Sequence, residues 1–390
     1  MKRIMSLLAA AAMSVSVTVV AGEPIRIGVI LPYSGVYASL GTEMTQGMEL
    51  GFATFGSEVA GRPIELVTED SEVKPNTGLA KAKKLVFQDN VDLLVGPVAS
   101  NVANALRDFV HGREVPLIIP NAGNNVLTGE RCSPWVLRTS FSNAQVTRGM
   151  GPWMVARGYD SIYLIAADYA AGHQMMDAFR ETYVGAGGTV VGESFPPLRG
   201  TKDFGPFLAQ IKAAGPSAVF AFFAGGQAIQ FVKQYHEFGL NKTIQLSGAG
   251  WLTSPLYVDV QGEAAAGILG ILNYVPGIES EENAAFQVAY REAYGRTASE
   301  FAVQGYDTAR LIVEALRMRG GDTEDRAALV SAMHGVSFTG PRGTLRIDPA
   351  TNNIIQDIHI FETRPGAKGM ELKVIESLPA MQDPANGCAF

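Results

Sequence analysis

Short apolar runs alternate with amphipathic stretches along the first two thirds of the chain. The apolar runs predict buried strands, at 25–31, 63–69, 91–95, 116–119, 162–166, 188–194, 218–223 and 243–246. The amphipathic stretches predict helices, at 42–55, 76–88, 101–112, 144–156, 172–184, 203–213 and 227–238. Strands that alternate with helices are typical of parallel sheets covered by helices on both faces. The pattern therefore predicts an α/β fold.

The last third of the chain breaks this alternation. Helices are predicted at 281–294 and 301–319, and strand-like runs follow at 343–347, 354–362 and 372–375. A chain of 390 residues is long enough for two or three domains of about 150 residues each. Two sheets of the predicted size indicate two α/β lobes.

The first 21 residues have a different character. Lys2 and Arg3 precede an apolar run at 4–20, and the small residue Ala21 follows it. This order is typical of a secretory signal peptide cleaved before Gly22. An uncleaved membrane anchor is the alternative, but about 17 apolar residues are short for a membrane span. We therefore expect an exported protein, and we expect no lipid anchor because no Cys follows the predicted cleavage point.

Composition and charge exclude several classes of protein. Hydrophobic residues make up 47% and charged residues 18% of the chain, which excludes global disorder. The net charge is −7, and it becomes −9 when Lys2 and Arg3 are removed. A nucleic-acid partner would require a basic face, so we expect none.

The sequence contains two cysteines, Cys132 and Cys388. In an oxidising exported setting, an even pair most simply forms one disulfide. Such a bond would tie the C-terminal tail to the first lobe and would contribute up to about 5 kcal/mol through chain entropy. A metal site or reactive thiol has little support, because neither Cys belongs to a CxxC motif or a Cys/His cluster.

Small and polar residues follow five of the predicted strands, at 96–101, 120–123, 168–172, 222–226 and 247–251. The first of these turns opens a helix at Ser100, whose hydroxyl and neighbouring N–H groups could hold a carboxylate. An ordinary helix cap without a ligand is equally compatible with Ser100. Three turns carry an aromatic residue, namely Tyr169, Phe223 and Trp251. Ligands bind outside the carboxyl ends of parallel strands, so the turns together predict a cleft with a polar end and aromatic walls.

Catalytic motifs give no support for an enzyme. The sequence has no GxxxxGK[ST] phosphate loop, no GxGxxG after the first strand, no GxSxG and no HExxH. The five histidines are scattered, at positions 111, 173, 236, 334 and 359. His173 lies beside the turn at 168–172, but we favour an ordinary surface role for it. We expect no cofactor and no metal.

The order and spacing of several motifs resemble those of the branched-chain amino-acid-type periplasmic solute-binding proteins of ABC transporters. The motifs are IGVILPYSG at 27–35, EDS at 69–71, GP at 96–97 followed by Ser100, DY at 168–169, KDF at 202–204 and GYDTA at 305–309. The resemblance covers essentially the whole mature chain. It implies the type I periplasmic-binding-protein fold, with two Rossmann-like lobes joined by three chain crossings. Lobe 1 would comprise 22–141 and 275–349, and lobe 2 would comprise 142–274 and 350–390.

The resemblance also implies a ligand-binding cleft that hinge closure buries. Lobe 1 of such proteins holds a carboxylate through two turns, which here match Val98, Ala99 and Ser100 and then Asn121, Ala122 and Gly123. Aromatic walls would come from five residues, namely Tyr37, Tyr169, Phe223, Trp251 and Phe301. The implied partner is an inner-membrane ABC permease, the implied location is the periplasm, and we expect a monomer.

Two positions depart from the amino-acid-binding members of the family. Gly123 stands where a Thr is frequent, and Ala249 stands where an acidic residue usually meets the α-ammonium group. A buried ammonium without a partner costs several kcal/mol. We therefore expect a carboxylate ligand without an α-amino group, as in the branch that resembles this chain and binds benzoate- or cinnamate-like acids. A branched-chain amino acid as ligand, a sensory receptor and an exported enzyme remain alternatives.

Overall fold

The computed structural model describes residues 22–367, 369–384 and 386–390, so the predicted signal peptide at 1–21 lies outside the described residues. The strands are β1 (Ile25–Leu31), β2 (Glu58–Val59), β3 (Arg62–Asp70), β4 (Leu93–Val95), β5 (Leu117–Ile119), β6 (Val136–Arg138), β7 (Ser161–Ala166), β8 (Thr189–Ser194), β9 (Ala218–Phe222), β10 (Gln245–Ala249), β11 (Leu269–Leu272), β12 (Ser337–Gly340), β13 (Gly343–Ile347), β14 (Ile354–Gly366) and β15 (Gly369–Met381).

The α-helices cover both faces of the sheets. They are α1 (Ala38–Phe55), α2 (Pro75–Phe87), α3 (Ser100–Arg113), α4 (Asn143–Thr147), α5 (Met150–Val155), α6 (Ala170–Gly185), α7 (Gly205–Ala214), α8 (Gly226–Glu237), α9 (Val258–Gln261), α10 (Glu281–Tyr294), α11 (Glu300–Met318) and α12 (Arg326–Gly335). The described residues contain no helix that is long and apolar enough to span a membrane.

The first sheet has six strands in the order β2-β3-β1-β4-β5-β6 and forms lobe 1. Its pairs are parallel except for the short antiparallel pair of β2 and β3. The central strand β1 is apolar on both faces, and five of its side chains (Ile25, Ile27, Val29, Ile30 and Leu31) are fully buried. Helices on both sides of a parallel sheet require such strands, which is why the sequence pattern of β1 is continuous rather than alternating.

The second sheet has nine strands and forms the core of lobe 2. Its parallel part runs β8-β7-β9-β10-β11, and β14 then pairs with β11 in the antiparallel direction. Counted in chain order within each lobe, both parallel parts follow the order 2-1-3-4-5, which is a doubly wound topology. The predicted fold class, two α/β lobes with parallel sheets, is confirmed.

Connecting segments follow β6 and β11 and join β13 to β14. The predicted crossings near residues 141, 274 and 349 fall in these segments by position, and the crossings and lobe boundaries stay a prediction. The hairpin of β12 and β13 lies within the predicted lobe 1 segment, yet β13 pairs with β14 of the second sheet through Arg346–Ile355 and Ile347–Ile354. The hairpin therefore belongs to the hinge region.

A fully buried ion pair lies at this hinge. The Arg342 guanidinium donates to Asp307 Oδ2 at 2.6 Å, to the Thr139 carbonyl at 2.5 Å and to the Ser140 carbonyl at 3.3 Å. It also donates to the side-chain oxygen of Gln356 on β14. Arg342 thus links the first crossing with the strand that follows the third.

Asn273 brings the second crossing into the same network. Its side-chain nitrogen donates to the Ser140 carbonyl and to Gln356 Oε1, both at 3.2 Å. The first two connections and the strand that follows the third therefore share one set of buried hydrogen bonds. Such a buried network rigidifies the local arrangement.

The predicted disulfide between Cys132 and Cys388 is confirmed, with an S–S distance of 2.10 Å. Cys132 lies in the loop before β6 of lobe 1, and Cys388 lies in the C-terminal tail that follows β15. The tail therefore returns from the second sheet to the first lobe, as the sequence predicts.

Several elements differ from the sequence prediction. The helix predicted at 144–156 is two helices, α4 and α5, with Gly149 at the junction, where glycine lowers helix stability. The sequence pattern does not predict six short elements, namely β2, β6, β11, β12, α9 and α12, because two to ten residues carry little periodic signal. Strand β10 extends to Ala249, so the start of the predicted turn at 247–251 belongs to the strand.

Removal of the Arg342 charge is expected to destabilise the protein strongly. Arg342→Met leaves the buried Asp307 without its partner, so we expect the free energy of unfolding to fall by about 3–5 kcal/mol. Urea unfolding measures this change. Lys373→Met is the matched control, because Lys373 forms an exposed ion pair with Glu279, and exposed pairs contribute about 0–1 kcal/mol. Equal losses in the two variants would contradict the role of the buried pair.

Candidate functional site

A cavity lies between the two lobes. Its walls come from the segments that follow β1, β4, β5 and β6 in the first sheet and β7 and β10 in the second, together with the end of β9 and the start of α11. The carboxyl ends of the two parallel sheets therefore face each other across the cavity. Open α/β sheets bind ligands in this position.

The polar end of the cavity is formed by Ser100, Asn121, Gly123 and Asn143. Ser100 is the first residue of α3, a helix of 14 residues. The first N–H groups of a helix have no acceptor within the helix, and the helix dipole attracts negative charge there. Asn121 is held in place because its side chain donates to Gln304 Oε1 at 2.7 Å. This end can hold an anionic group without a cationic side chain.

Six aromatic side chains form most of the remaining wall, namely Tyr37, Phe141, Tyr169, Phe222, Trp251 and Phe301. The Trp251 ring lies 4.8 Å from that of Phe141 and 5.7 Å from that of Phe222, measured between ring centroids. These contacts join residues from three different strand ends. The wall suits a flat, apolar ligand that stacks against rings.

A hydrogen bond between two tyrosines crosses the cleft. Tyr37 of lobe 1 donates to the hydroxyl of Tyr169 of lobe 2 at 3.2 Å. Desolvation raises the pKa of Tyr37 to about 12 and the pKa of Tyr169 well above its usual value. Both phenols are therefore neutral and can act as donors at physiological pH.

The described residues that line the cavity include no charged side chain. Ala249, at the position where an acidic residue was expected in amino-acid binders, is fully buried at the end of β10. An ammonium group in this cavity would consequently have no ionic partner among the described lining residues. The residues described in the structure also contain no group of three or more His, Cys, Asp or Glu that could hold a metal ion.

Eight of the eleven predicted site residues line the cavity, namely Tyr37, Val98, Ser100, Asn121, Gly123, Tyr169, Trp251 and Phe301. Ala99 and Ala122 are buried beside the lining but are not part of it. Ala99 caps α3 through its backbone, so its side chain has no direct role there.

The structure places Phe223 in the core of lobe 2 instead of on the cavity wall. Phe223 is fully buried, and its ring lies 5.1 Å from Phe204 and 4.8 Å from Phe231. Its neighbour Phe222 lines the cavity. Successive side chains of an extended segment point to opposite faces, so a one-residue error in the turn selects the wrong phenylalanine.

Sequence reasoning missed Phe141 and Asn143, which both line the cavity. They follow β6, a strand of three residues that the pattern did not reveal. The only available signal was the position of the first crossing near residue 141, since a hinge segment passes directly beside the cleft.

Phe141 and Asn143 explain why residue 123 is a glycine. A Cβ atom on Gly123 would lie 2.3 Å from Asn143 Oδ1 and 2.6 Å from Cε2 of Phe141. The volume that a larger side chain would need is already occupied. Where amino-acid-binding members of the family frequently have Thr, this chain has Gly, and the side chains of Phe141 and Asn143 occupy the adjacent space.

A buried carboxyl group lies next to the cavity wall, at the start of α11. Glu300, which precedes the lining residue Phe301, accepts a hydrogen bond from Ser254 Oγ of lobe 2 at 2.9 Å. Burial raises the pKa of Glu300 to about 8, with a smaller contribution in the same direction from Glu43, while the bond from Ser254 acts against it. Glu300 is therefore largely protonated at neutral pH.

The sequence profile of the periplasmic binding protein family matches residues 24–369. The chain belongs to this family, as the sequence motifs predict. A curated relative, Leu/Ile/Val-binding protein homolog 6 of Brucella melitensis, is 31% identical over 98% of this chain and 99% of its own length.

Solved structures give a similar result. A solute-binding protein of an ABC transporter from R. palustris, in complex with benzoate, is 34% identical, has a TM-score of 0.89 and covers 94% of this chain and 100% of its own. A second, from Rhodopseudomonas palustris BisB5 in complex with 3,4-dihydroxybenzoic acid, is 32% identical, has a TM-score of 0.88 and covers 93% and 99%. The protein is thus a solute-binding protein of an ABC transporter, and its family and neighbours are not enzymes.

A side chain at position 123 is expected to destabilise the protein. Gly123→Ala places a Cβ against Asn143 and Phe141, so we expect the free energy of unfolding to fall by about 1–3 kcal/mol. Gly226→Ala is the control, because Gly226 is exposed and no atom lies within 4 Å of its added Cβ. Thermal and urea unfolding compare the two, and a neutral Gly123→Ala would show that the polar end is not tightly filled.

Glu300 is expected to make stability depend on pH. An ordinary Glu ionises near pH 4.3 in the unfolded chain, whereas Glu300 stays protonated in the folded protein up to about pH 8. The unfolded state binds fewer protons across this window, so stability falls as the pH rises from about 4.5 to 8. In Glu300→Gln this pH-dependent loss of stability disappears. The free energy of unfolding of the variant, measured relative to that of the wild-type protein, should therefore increase as the pH rises.

Urea unfolding at several pH values between 4.5 and 8 measures this difference. Glu279→Gln serves as the control, since the Glu279 side chain is 85% exposed. Parallel stability curves for the wild-type protein and Glu300→Gln would contradict a raised Glu300 pKa.

Proposed function

We propose that this protein is the receptor that captures a small aromatic carboxylate in the periplasm and delivers it to an inner-membrane ABC permease. The observation that carries the proposal is the cavity itself, which combines an uncharged aromatic wall with a helix N-terminus at its polar end. Two structural neighbours that are at least 32% identical bind benzoate and 3,4-dihydroxybenzoic acid. Export through the N-terminal signal peptide and a monomeric state are part of the proposal.

In the proposed complex, the ligand carboxylate accepts hydrogen bonds at the start of α3. The donors are the backbone N–H groups of Ser100 and Asn101 and the Ser100 hydroxyl. Burial of about 150 Å² of aromatic surface contributes roughly 4 kcal/mol. A micromolar Kd requires about −8 kcal/mol, so the polar end must supply the remainder.

Contacts across the cleft support capture by hinge closure. Arg199 of lobe 2 donates to the carbonyls of Val73 at 2.9 Å and Glu72 at 3.2 Å in lobe 1. The bond between Tyr37 and Tyr169 also joins the lobes. The lobes therefore have specific polar contacts in the closed arrangement, and these must break for the ligand to enter or leave.

A branched-chain amino acid is the second candidate ligand. The name of the Brucella relative favours it. The absence of a charged side chain among the described lining residues favours an acid without an amino group. The two candidates differ in the α-ammonium group and in the side chain, so the affinities for acids with and without that group distinguish them.

The proposal predicts that aromatic acids stabilise the protein and branched-chain amino acids do not. A ligand present at 100 times its Kd adds about 2.7 kcal/mol to the free energy of unfolding. Thermal-shift measurements on residues 22–390 with benzoate, 4-hydroxybenzoate, 3,4-dihydroxybenzoate, leucine and valine test this, and calorimetry gives the Kd values. Stabilisation by leucine or valine alone would replace the aromatic acid with the second candidate.

A variant links the affinity to the proposed polar end. Ser100→Ala removes one donor to the carboxylate, so binding is expected to weaken by about 1–3 kcal/mol. Ser331→Ala, at an exposed position on α12, is the control and should leave the Kd unchanged. An unaltered Kd in Ser100→Ala would remove Ser100 from the site.

A further inference from the structure

We infer that the polar end of the cavity selects carboxylates that carry a neutral hydrogen-bond donor nearby. The donor is bonded either to the carbon that bears the carboxylate or to the carbon next to it. The selecting groups are the Ser100 hydroxyl, which donates, and Asn143 Oδ1, which accepts. This inference rests on the proposed function, because it names the class of ligand within the aromatic carboxylates.

Asn143 carries an acceptor that no described residue satisfies. Its side chain is fully buried and lines the cavity. The Nδ2 atom donates to Gln174 Oε1 at 2.8 Å and to Ser100 Oγ at 3.3 Å, so both amide hydrogens are used. The Oδ1 atom has no hydrogen-bond partner. A buried acceptor in this state costs free energy unless a ligand or water satisfies it.

A hydrogen-bond chain fixes which end of the Asn143 amide is the oxygen. The backbone N–H of Asn125 donates to Gln174 Oε1 at 2.9 Å, and a backbone N–H can only donate. Gln174 Nε2 in turn donates to Asn124 Oδ1 at 2.7 Å. Gln174 therefore presents its oxygen to Asn143. A rotated Asn143 amide would place two oxygen atoms 2.8 Å apart, which excludes the alternative orientation.

The same chain makes Ser100 a donor toward the cavity. Ser100 Oγ accepts from Asn143, which leaves its own hydrogen free, and Asn124 Nδ2 holds the Ser100 carbonyl at 3.2 Å. The donor on Ser100 and the acceptor on Asn143 are thus neighbours that belong to one hydrogen-bonded unit. A ligand that satisfies both must present an acceptor and a donor close together.

A simple carboxylate satisfies only half of this pair. Its oxygens accept from Ser100 and from the first N–H groups of α3, but neither oxygen has a hydrogen to give to Asn143 Oδ1. A neighbouring hydroxyl or neutral amine supplies that hydrogen. An α-ammonium group could also donate, but the described lining residues contain no carboxylate to balance its charge. The pair therefore favours a neutral donor.

Two matched ligand series test this selectivity on residues 22–390 by calorimetry. The first comprises phenylacetate, mandelate, α-methoxyphenylacetate and phenylglycine, which differ only at the α-carbon. The second comprises benzoate, 2-aminobenzoate and 2-methoxybenzoate. In whichever scaffold binds, we expect the neutral-donor member, mandelate or 2-aminobenzoate, to bind about tenfold more tightly than its parent and its methoxy analogue. Phenylglycine should bind less tightly than mandelate.

Variants assign the preference to Asn143. In Asn143→Ala the ratio of Kd values between the methoxy and the donor ligand should fall toward one. Asn143→Asp places a carboxylate there and should shift the order toward phenylglycine. Gln174→Met removes the acceptor that orients the Asn143 amide, so the ratio should also fall although Asn143 is retained. Thermal unfolding of each ligand-free variant shows whether it is folded. If a variant does not fold, the two ligand series on the wild-type protein still test the selectivity.

The outcomes separate this inference from the proposed function. Methoxy and donor ligands that bind within about twofold of each other would overturn the inference while aromatic acids still bind. A preference that persists in Asn143→Ala would overturn the role of Asn143. Tightest binding of phenylglycine would overturn the requirement for a neutral donor. Failure of every aromatic acid to bind, by contrast, would overturn the proposed function.

Discussion

The two-lobe arrangement depends on the buried hydrogen bonds and the ion pair that the guanidinium group of Arg342 forms. Its charge is satisfied by Asp307 and by acceptors from the first crossing and from β14. A buried charge that loses its partners is strongly destabilising, so these acceptors are held in one place relative to one another. The connections between the lobes are therefore held together at this point. The geometry of the cleft follows, because most of the lining segments extend from the two sheets that this region joins.

The site arises from the repetition of one topology. Each lobe places its parallel strands in the same order, so the turns at their carboxyl ends meet across the cleft. Lobe 1 contributes the helix that starts at Ser100, and lobe 2 contributes aromatic side chains such as Phe222 and Trp251. Neither lobe alone encloses a ligand. The hinge segment adds Phe141 and Asn143, and these two residues give the polar end its own shape.

Much of this organisation could be predicted from the sequence, and the reason is the strength of local patterns. The apolar strands, the amphipathic helices and the motif order were sufficient for the fold class, and strand-end turns located Ser100 and Trp251. Phe222 was missed in favour of Phe223 because a turn boundary is uncertain by one residue, and one residue reverses the direction of a side chain. The orientation of the Asn143 amide depends on the backbone of Asn125 and on Gln174. No local sequence pattern predicts a chain of hydrogen bonds between residues that are so far apart in the sequence.

Arg199 reaches across the cleft to two main-chain carbonyls, those of Glu72 and Val73, and it is not part of the cavity lining. Under the proposed closure of the cleft, this contact would contribute equally for every cargo that permits closure. It would then set how long the cleft stays shut, whereas the cavity lining would set which molecule is bound. On that proposal, residence time and selectivity reside in different residues, so that a sequence change at one leaves the other intact.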